Sequence, residues 1–310
     1  MRKLLQKLVI VLFIIFISVI LWYNLKSDGN VIIPKGFGYF SFQNDSIYYG
    51  KPILVYTYVP SSVRPNSKIL ILIHGAERRV QKFQAEWQEV ADKYNVILVS
   101  PYFSLKQFPH EFEFQHGNVI DSDLINGTFE LNKENKWAFS FIEPIFRKVK
   151  LSLKNKNNTY CLYGHSAGGQ FVHRYLLFKP DAKVEKVIFS NSGWYTRPYR
   201  KQKYPYGLED TDVSSADIAK AFAKNVTILL GADDTDKYHF QLKRNKTVDE
   251  RGLNRFERGT NYFNFCKQTA DSMKTPFNWK LSTAPGIEHR NDMMAYFAGE
   301  LFFKDESTDK

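Results

Sequence analysis

The sequence predicts an α/β fold, a mostly parallel central sheet flanked by helices. Three observations carry that expectation. Short, mainly apolar runs recur at residues 69–73, 96–99, 160–163, 187–189 and 226–230, that at 69–73 being continuous. Stretches with helical periodicity lie between or after them. A tight turn of small residues joins one apolar run, 160–163, directly to the helix-like stretch 170–178. Strands covered by helices on both faces need no polar side, so they read as continuous apolar runs rather than alternating ones.

The first 25 residues stand apart from this pattern. Arg2, Lys3 and Lys7 precede an uncharged, almost wholly apolar run at residues 8–23. At about 1.5 Å per residue the run falls slightly short of a ~30 Å hydrocarbon core, and Leu4 and Leu5 extend it if Lys7 snorkels. The expected organisation is therefore an N-terminal transmembrane anchor at residues 1–25 and a catalytic domain at 26–310. The basic flank places the N-terminus in the cytoplasm and the domain on the far side of the membrane. The rival is a cleaved signal peptide, which would make the protein secreted. It wants small residues at the cleavage site, and residues 20–26 offer none in that arrangement.

After a linker at 27–35, residues 38–42, 47–49 and 53–59 read as a β-meander, broken by Asn44-Asp45 and Gly50-Lys51-Pro52. Residues 80–94 carry helical periodicity through Val80, Phe83, Trp87, Val90 and Ala91. Residues 137–153 are helical, with a kink expected at Pro144. The last cycle is a helix at 256–273, a strand at 279–283 and a helix at 293–303. Three segments exceed simple connections, at 102–136, 194–212 and 235–255. Long loops on such a scaffold usually shape the site.

Composition narrows the class. With 44% hydrophobic residues in 310, the chain can bury a large core in one domain. Its two cysteines, Cys161 and Cys266, make no zinc pattern and imply no disulfide. The +11 charge gathers at residues 147–156, 197–203 and 243–258. That is either a solvated basic surface or an attraction to anionic lipid or polymer. No nucleic-acid motif has the right spacing, so nucleic acid is not an expected partner.

The chemistry centres on Gly164-His165-Ser166-Ala167-Gly168-Gly169. A G-x-S-x-G match bracketed by strand and helix places the serine on a sharp turn with its hydroxyl clear of the sheet. The following helix aims its free N–H groups at the same spot. Serine needs a base, and the base needs an orienting acid. In parallel sheets such groups gather at the carboxyl ends of strands. His289 follows the strand at 279–283 and is the expected general base. Asp233, Asp234 and Asp236 follow the strand at 226–230, and Asp234 is the expected acid, the others capping the turn. His74-Gly75-Ala76 follows the strand at 69–73, so the N–H groups of Ala76 and Ala167 are the expected oxyanion hole.

The other histidines have quieter expectations. His165 cannot turn onto its own neighbour, and His173 is packed or on the surface. His110 and His116 are solvated, and His239 is the one rival base. Arg78 and Arg79 are surface arginines or substrate-carboxylate contacts. Phe103, Phe108, Phe112, Phe114 and Phe129 either line an acyl pocket or hold down their loop.

With these residues the chain resembles the α/β-hydrolase-fold serine hydrolases over roughly residues 53–303. The segment Arg251-Gly252-Leu253-Asn254-Arg255-Phe256-Glu257-Arg258-Gly259 is similar to one in poly(hydroxyalkanoate)-depolymerase-like bacterial hydrolases. The resemblance implies hydrolysis of a small or polymeric carboxylic ester through an acyl-enzyme, with no metal or organic cofactor. A serine peptidase or acyltransferase on the same scaffold shares the acyl-enzyme step. A catalytically idle binding protein is the third possibility.

Overall fold

The computed structural model describes residues 31–123 and 128–304. The expected anchor at residues 1–25 lies outside them. Among the described residues no helix is long and apolar enough to cross a membrane.

Ten strands and eight α-helices make up the described chain. The strands are β1 (Gly36–Phe42), β2 (Ile53–Val59), β3 (Ile69–Ile73), β4 (Ile97–Pro101), β5 (Ile120–Asp123), β6 (Thr128–Leu131), β7 (Tyr160–His165), β8 (Val184–Ser190), β9 (Val226–Gly231) and β10 (Trp279–Ala284). The helices are α1 (Val80–Ala85), α2 (Gln88–Tyr94), α3 (Ile142–Ser152), α4 (Ala167–Phe178), α5 (Ser215–Phe222), α6 (Lys246–Asp249), α7 (Arg255–Met273) and α8 (Asn291–Phe303). Eight strands form one sheet in the order β1-β2-β4-β3-β7-β8-β9-β10, and β5 and β6 form a separate hairpin. Strand β2 pairs antiparallel with β1 and with β4, and every pair from β4 to β10 is parallel.

The apolar runs form strands for the reason they were legible. All five residues of β3 and all five of β4 are buried, as a strand between two helical layers must be. Trp87, Tyr163, Leu72 and Phe302 meet on one side of the sheet. On the other side α4 is buried along its whole length. Most of its buried polar atoms are hydrogen-bonded, the Arg174 Nη2 being an exception. Arg174 donates to Thr196 Oγ1 at 2.8 Å and to the Gln170 carbonyl at 3.0 Å. His173 accepts from the Thr196 N–H at 3.0 Å.

Three elements differ from the sequence expectation. Residues 47–49 are not a strand. Tyr48 and Tyr49 have φ of 46° and 60°, which breaks any extended run. Tyr48 stacks on Phe108 at 4.5 Å and donates to the Gln107 carbonyl at 2.9 Å, so tertiary packing outweighs β propensity here. Residues 80–94 divide into α1 and α2, and the break carries the buried Trp87 indole edge-on to Tyr163 at 4.5 Å. Pro144 causes no kink. It is the third residue of α3, where its missing N–H has no partner to lose.

Candidate active site

The site is assembled at the carboxyl ends of the parallel strands. Ser166 follows β7 with φ 57° and ψ −116°, a conformation costly for any residue with a Cβ. The turn is held on both sides. The Ser166 N–H donates to the Ser190 carbonyl at 2.9 Å, and its carbonyl accepts from the Gln170 N–H at 3.0 Å. Close packing of α4 on the sheet explains the glycines. A Cβ on Gly168 would lie 1.9 Å from the Ile73 carbonyl oxygen, and one on Gly164 would lie 2.3 Å from that of Gly168. Gly168→Ala is therefore expected to leave little folded soluble protein, checked by circular dichroism and size-exclusion yield beside wild type.

Three expected residues meet. His289 Nδ1–H donates to Asp234 Oδ2 at 2.7 Å, and Ser166 Oγ–H donates to His289 Nε2 at 3.0 Å. Asp234 is buried, while Asp233 and Asp236 are exposed. Asp236 accepts from the Tyr238 N–H at 2.8 Å and so shapes the turn.

Asp234 has two further partners that sequence reasoning missed. Asn191 Nδ2 donates to Asp234 Oδ2 at 2.6 Å, while its Oδ1 accepts from the Gly231 N–H at 3.1 Å. Arg255 Nη1 lies 3.3 Å from Asp234 Oδ1, and both side chains are almost wholly buried. Burial alone would raise the Asp234 pKa, but His289, Arg255 and Asn191 together hold it below the ordinary value. Burial, joined by Arg255, holds the His289 imidazole below its ordinary pKa against the upward pull of Asp234. Neutral pH therefore finds a carboxylate beside a neutral imidazole.

Ala76 lines the same cleft as Ser166 and His289. Gly75 packs against the elbow, since a Cβ there would lie 4.0 Å from Ser166 Cβ. Ala167 heads α4, so its N–H has no acceptor within the helix. The cleft encloses about 510 Å³, and its walls include Glu77, Arg79, Lys82, Glu86, Arg290 and Asp292. It is a polar, charged groove.

The remaining candidates fall elsewhere. Phe103, Phe108 and Phe114 are fully buried and pack with one another and with Phe141 or Phe171, so they are core and not an acyl pocket. Phe112 stands edge-on to His116 at 5.0 Å, and the side chain of Phe129 lies outside the described part. His116 is buried against Phe112 and Trp194, not solvated, because its loop folds under residues 194–212. His110 is exposed. Arg78 is buried, donating to the carbonyls of Phe103 at 2.6 Å and Phe108 at 3.2 Å, whereas Arg79 stays on the surface beside Glu77. His165 meets Ser190 Oγ at 2.9 Å.

The segment 251–259 braces the site. Arg251 donates to the Tyr195 carbonyl at 2.9 Å and Arg258 to that of Gly193 at 2.7 Å, so both hold the backbone just after β8. Asn191 could have been found by position, as a polar residue just past a parallel strand. Arg255 could not, because only folding brings the start of α7 behind the acid.

No family model matches the sequence. Poly(aspartic acid) hydrolase-1 from Sphingomonas sp. KT-1 is 35% identical over 87% of this chain and 99% of its own, with a TM-score of 0.82. LpqC, a poly(3-hydroxybutyrate) depolymerase from Bordetella parapertussis, is 25% identical over 88% of this chain and 91% of its own, with a TM-score of 0.81. The bifunctional acetylxylan esterase/xylanase XynS20E of Neocallimastix patriciarum is 24% identical over 121 residues, 38% of this chain and only 15% of that protein. Identity of this extent, on a sheet of this order, shows that the chain belongs to the α/β-hydrolase-fold serine hydrolases, in their poly(3-hydroxybutyrate)-depolymerase and esterase branch.

Proposed function

We propose that the chain hydrolyses carboxylic esters through a Ser166–His289–Asp234 triad and an acyl-enzyme. The observation that carries this is the unbroken relay from the Asp234 carboxylate through His289 to Ser166 Oγ, at 2.7 and 3.0 Å. Neutral His289 takes the hydroxyl proton as Ser166 Oγ attacks the ester carbonyl carbon. The Asp234 carboxylate fixes the proton on Nδ1 and stabilises the imidazolium that forms. The N–H groups of Ala76 and Ala167 receive the developing oxyanion. Collapse breaks the bond to the alkoxide, which leaves with the proton from Nε2. Water, deprotonated by the same nitrogen, then releases the acid and restores Ser166.

A fluorophosphonate probe tests the nucleophile. Wild type is expected to label and Ser166→Ala to stay unlabelled, and equal labelling removes the assignment. The pH profile tests the base. Protonation of His289 removes the acceptor for the serine proton, so kcat/KM falls on the acid side. Because burial and Arg255 lower its pKa, the plateau should extend through neutral pH and fall only below about 6.5, the ordinary imidazole value. A half-point above that value contradicts the assignment.

The 35% identical poly(aspartic acid) hydrolase favours a second reading, cleavage of amide bonds in an anionic polymer. The acyl-enzyme step is shared by ester and amide cleavage. Incubation with poly(aspartic acid) beside a 4-nitrophenyl ester panel, with chain length followed by size exclusion, separates the two.

For location, support comes from the sequence alone. Arg2, Lys3 and Lys7 before the apolar run favour a single-pass anchor with the catalytic body outside the cytoplasm. Digestion by protease added to intact cells supports this, and digestion only from the cytoplasmic side overturns it.

A further inference from the structure

We propose that His239 is a substrate-binding residue whose Nε2–H donates to a carbonyl or carboxylate oxygen of the substrate, beside His289. This rests on the Ser166–His289 reading above. It replaces the expectation of His239 as a rival base.

Two donors decide the tautomer. Arg255 Nη2 lies 3.1 Å from His239 Nδ1, and the Gln241 N–H donates to the same nitrogen at 3.2 Å. A guanidinium and a backbone amide can only donate, so Nδ1 must carry the lone pair. The neutral ring therefore holds its proton on Nε2. The nitrogen that could have accepted a proton is occupied, which removes His239 as a base. Burial first, then Arg255 and His289, hold its pKa below the ordinary value, while Asp234 and Asp236 pull the other way. The neutral donor is the form present at neutral pH.

Position gives the donor its use. The ring is half-buried, and its centroid lies 5.6 Å from that of His289 in an edge-to-face arrangement. Gln241, two residues on, lines the catalytic cleft. The two nitrogens of an imidazole diverge, so anchoring Nδ1 on the buried Arg255 turns Nε2 away from the interior. No protein acceptor for Nε2–H occurs among the described residues. The neighbouring rim cations Arg79 and Arg290 already face Glu77 and Asp292, which leaves His239 as an uncommitted donor close to the base.

The test uses three esters matched in length: 4-nitrophenyl hydrogen adipate, its methyl ester, and 4-nitrophenyl hexanoate, which ends in a methyl group. Wild type is compared with His239→Leu, which has no donor, and His239→Gln, which restores an N–H at about the Nε2 position. For His239→Leu, KM is expected to rise about tenfold for the adipate esters relative to the hexanoate. Glutamine should recover most of that ratio. A larger change with the free carboxylate identifies an anionic acceptor, and equal changes identify a carbonyl. The same KM ratio in all three proteins overturns the proposal. Fluorophosphonate labelling is read in parallel, because failure of wild type to label would sink the Ser166 reading instead.

Discussion

His289→Ala is expected to lower kcat for ester hydrolysis by about 10⁵–10⁶-fold, with the folded state retained. The magnitude follows from the shared relay. Without the imidazole, Ser166 Oγ has no acceptor for its proton, and the proposed oxyanion donors Ala76 and Ala167 would stabilise an attack that rarely begins. Asp234→Asn should cost about 10⁴-fold, because an amide can donate to Nδ1 and shift the ring to the wrong tautomer. Asp233→Asn and Asp236→Asn should stay within a few-fold, since both side chains are exposed and the His289 Nδ1 bond goes to Asp234. Steady-state kinetics on one short 4-nitrophenyl ester check all four. The acid assignment fails if Asp234→Asn is the mildest of the three aspartate changes.

Arg255→Leu is expected to cost about 3–5 kcal/mol of stability at neutral pH. The guanidinium and the Asp234 carboxylate face each other at 3.3 Å with almost no exposure. Removing one leaves the other buried without its charge partner. The pH dependence has a definite sign. Asp234 has a folded pKa below its ordinary value, so its contribution is present above the unfolded carboxylate pKa. It is lost as pH falls through the folded one. The penalty of Arg255→Leu should thus be full at pH 7 and shrink in acid below about 3.9. Arg255 also lowers the His289 pKa, so the acid limb of kcat/KM should move to higher pH in the variant. Urea unfolding at pH 7 and at about pH 3, beside a pH–rate profile, measures both.

The parts of this molecule that were legible in the sequence are those governed by local rules. Strands covered on both faces announce themselves as apolar runs, and β3, β7 and β9 contain or match the expected segments. The elbow was legible because its glycines answer to hard contact: nothing larger fits where Gly168 meets Ile73. That Ser166, Asp234 and His289 would meet followed from strand ends and chain order. What escaped was set by tertiary contact. Tyr48 and Tyr49 look like strand residues but adopt positive φ for an aromatic stack. His116 and Arg78 look like surface residues, yet edge-on ring contacts and backbone carbonyls hold them inside. The aromatic loop reads equally as pocket or core until its packing partners Phe141 and Phe171 are in view. Asn191 and Arg255 act on an acid 43 and 21 residues distant along the chain, a separation no motif spans.

The excursion at residues 235–254 leaves and returns at almost one point. Arg255 bonds the Asp234 side chain, and the Phe256 N–H reaches the Asp234 carbonyl at 3.3 Å. Its two ends are thus tied together. Residues 235–250 can be treated as an exchangeable cartridge, rewritten in length and side chains while Arg251 still braces Tyr195 and Asn254 still caps the helix that carries Arg255. Homologous excursions grafted between these two anchor points offer a route to new substrate preferences that leaves the hydrolytic machinery untouched.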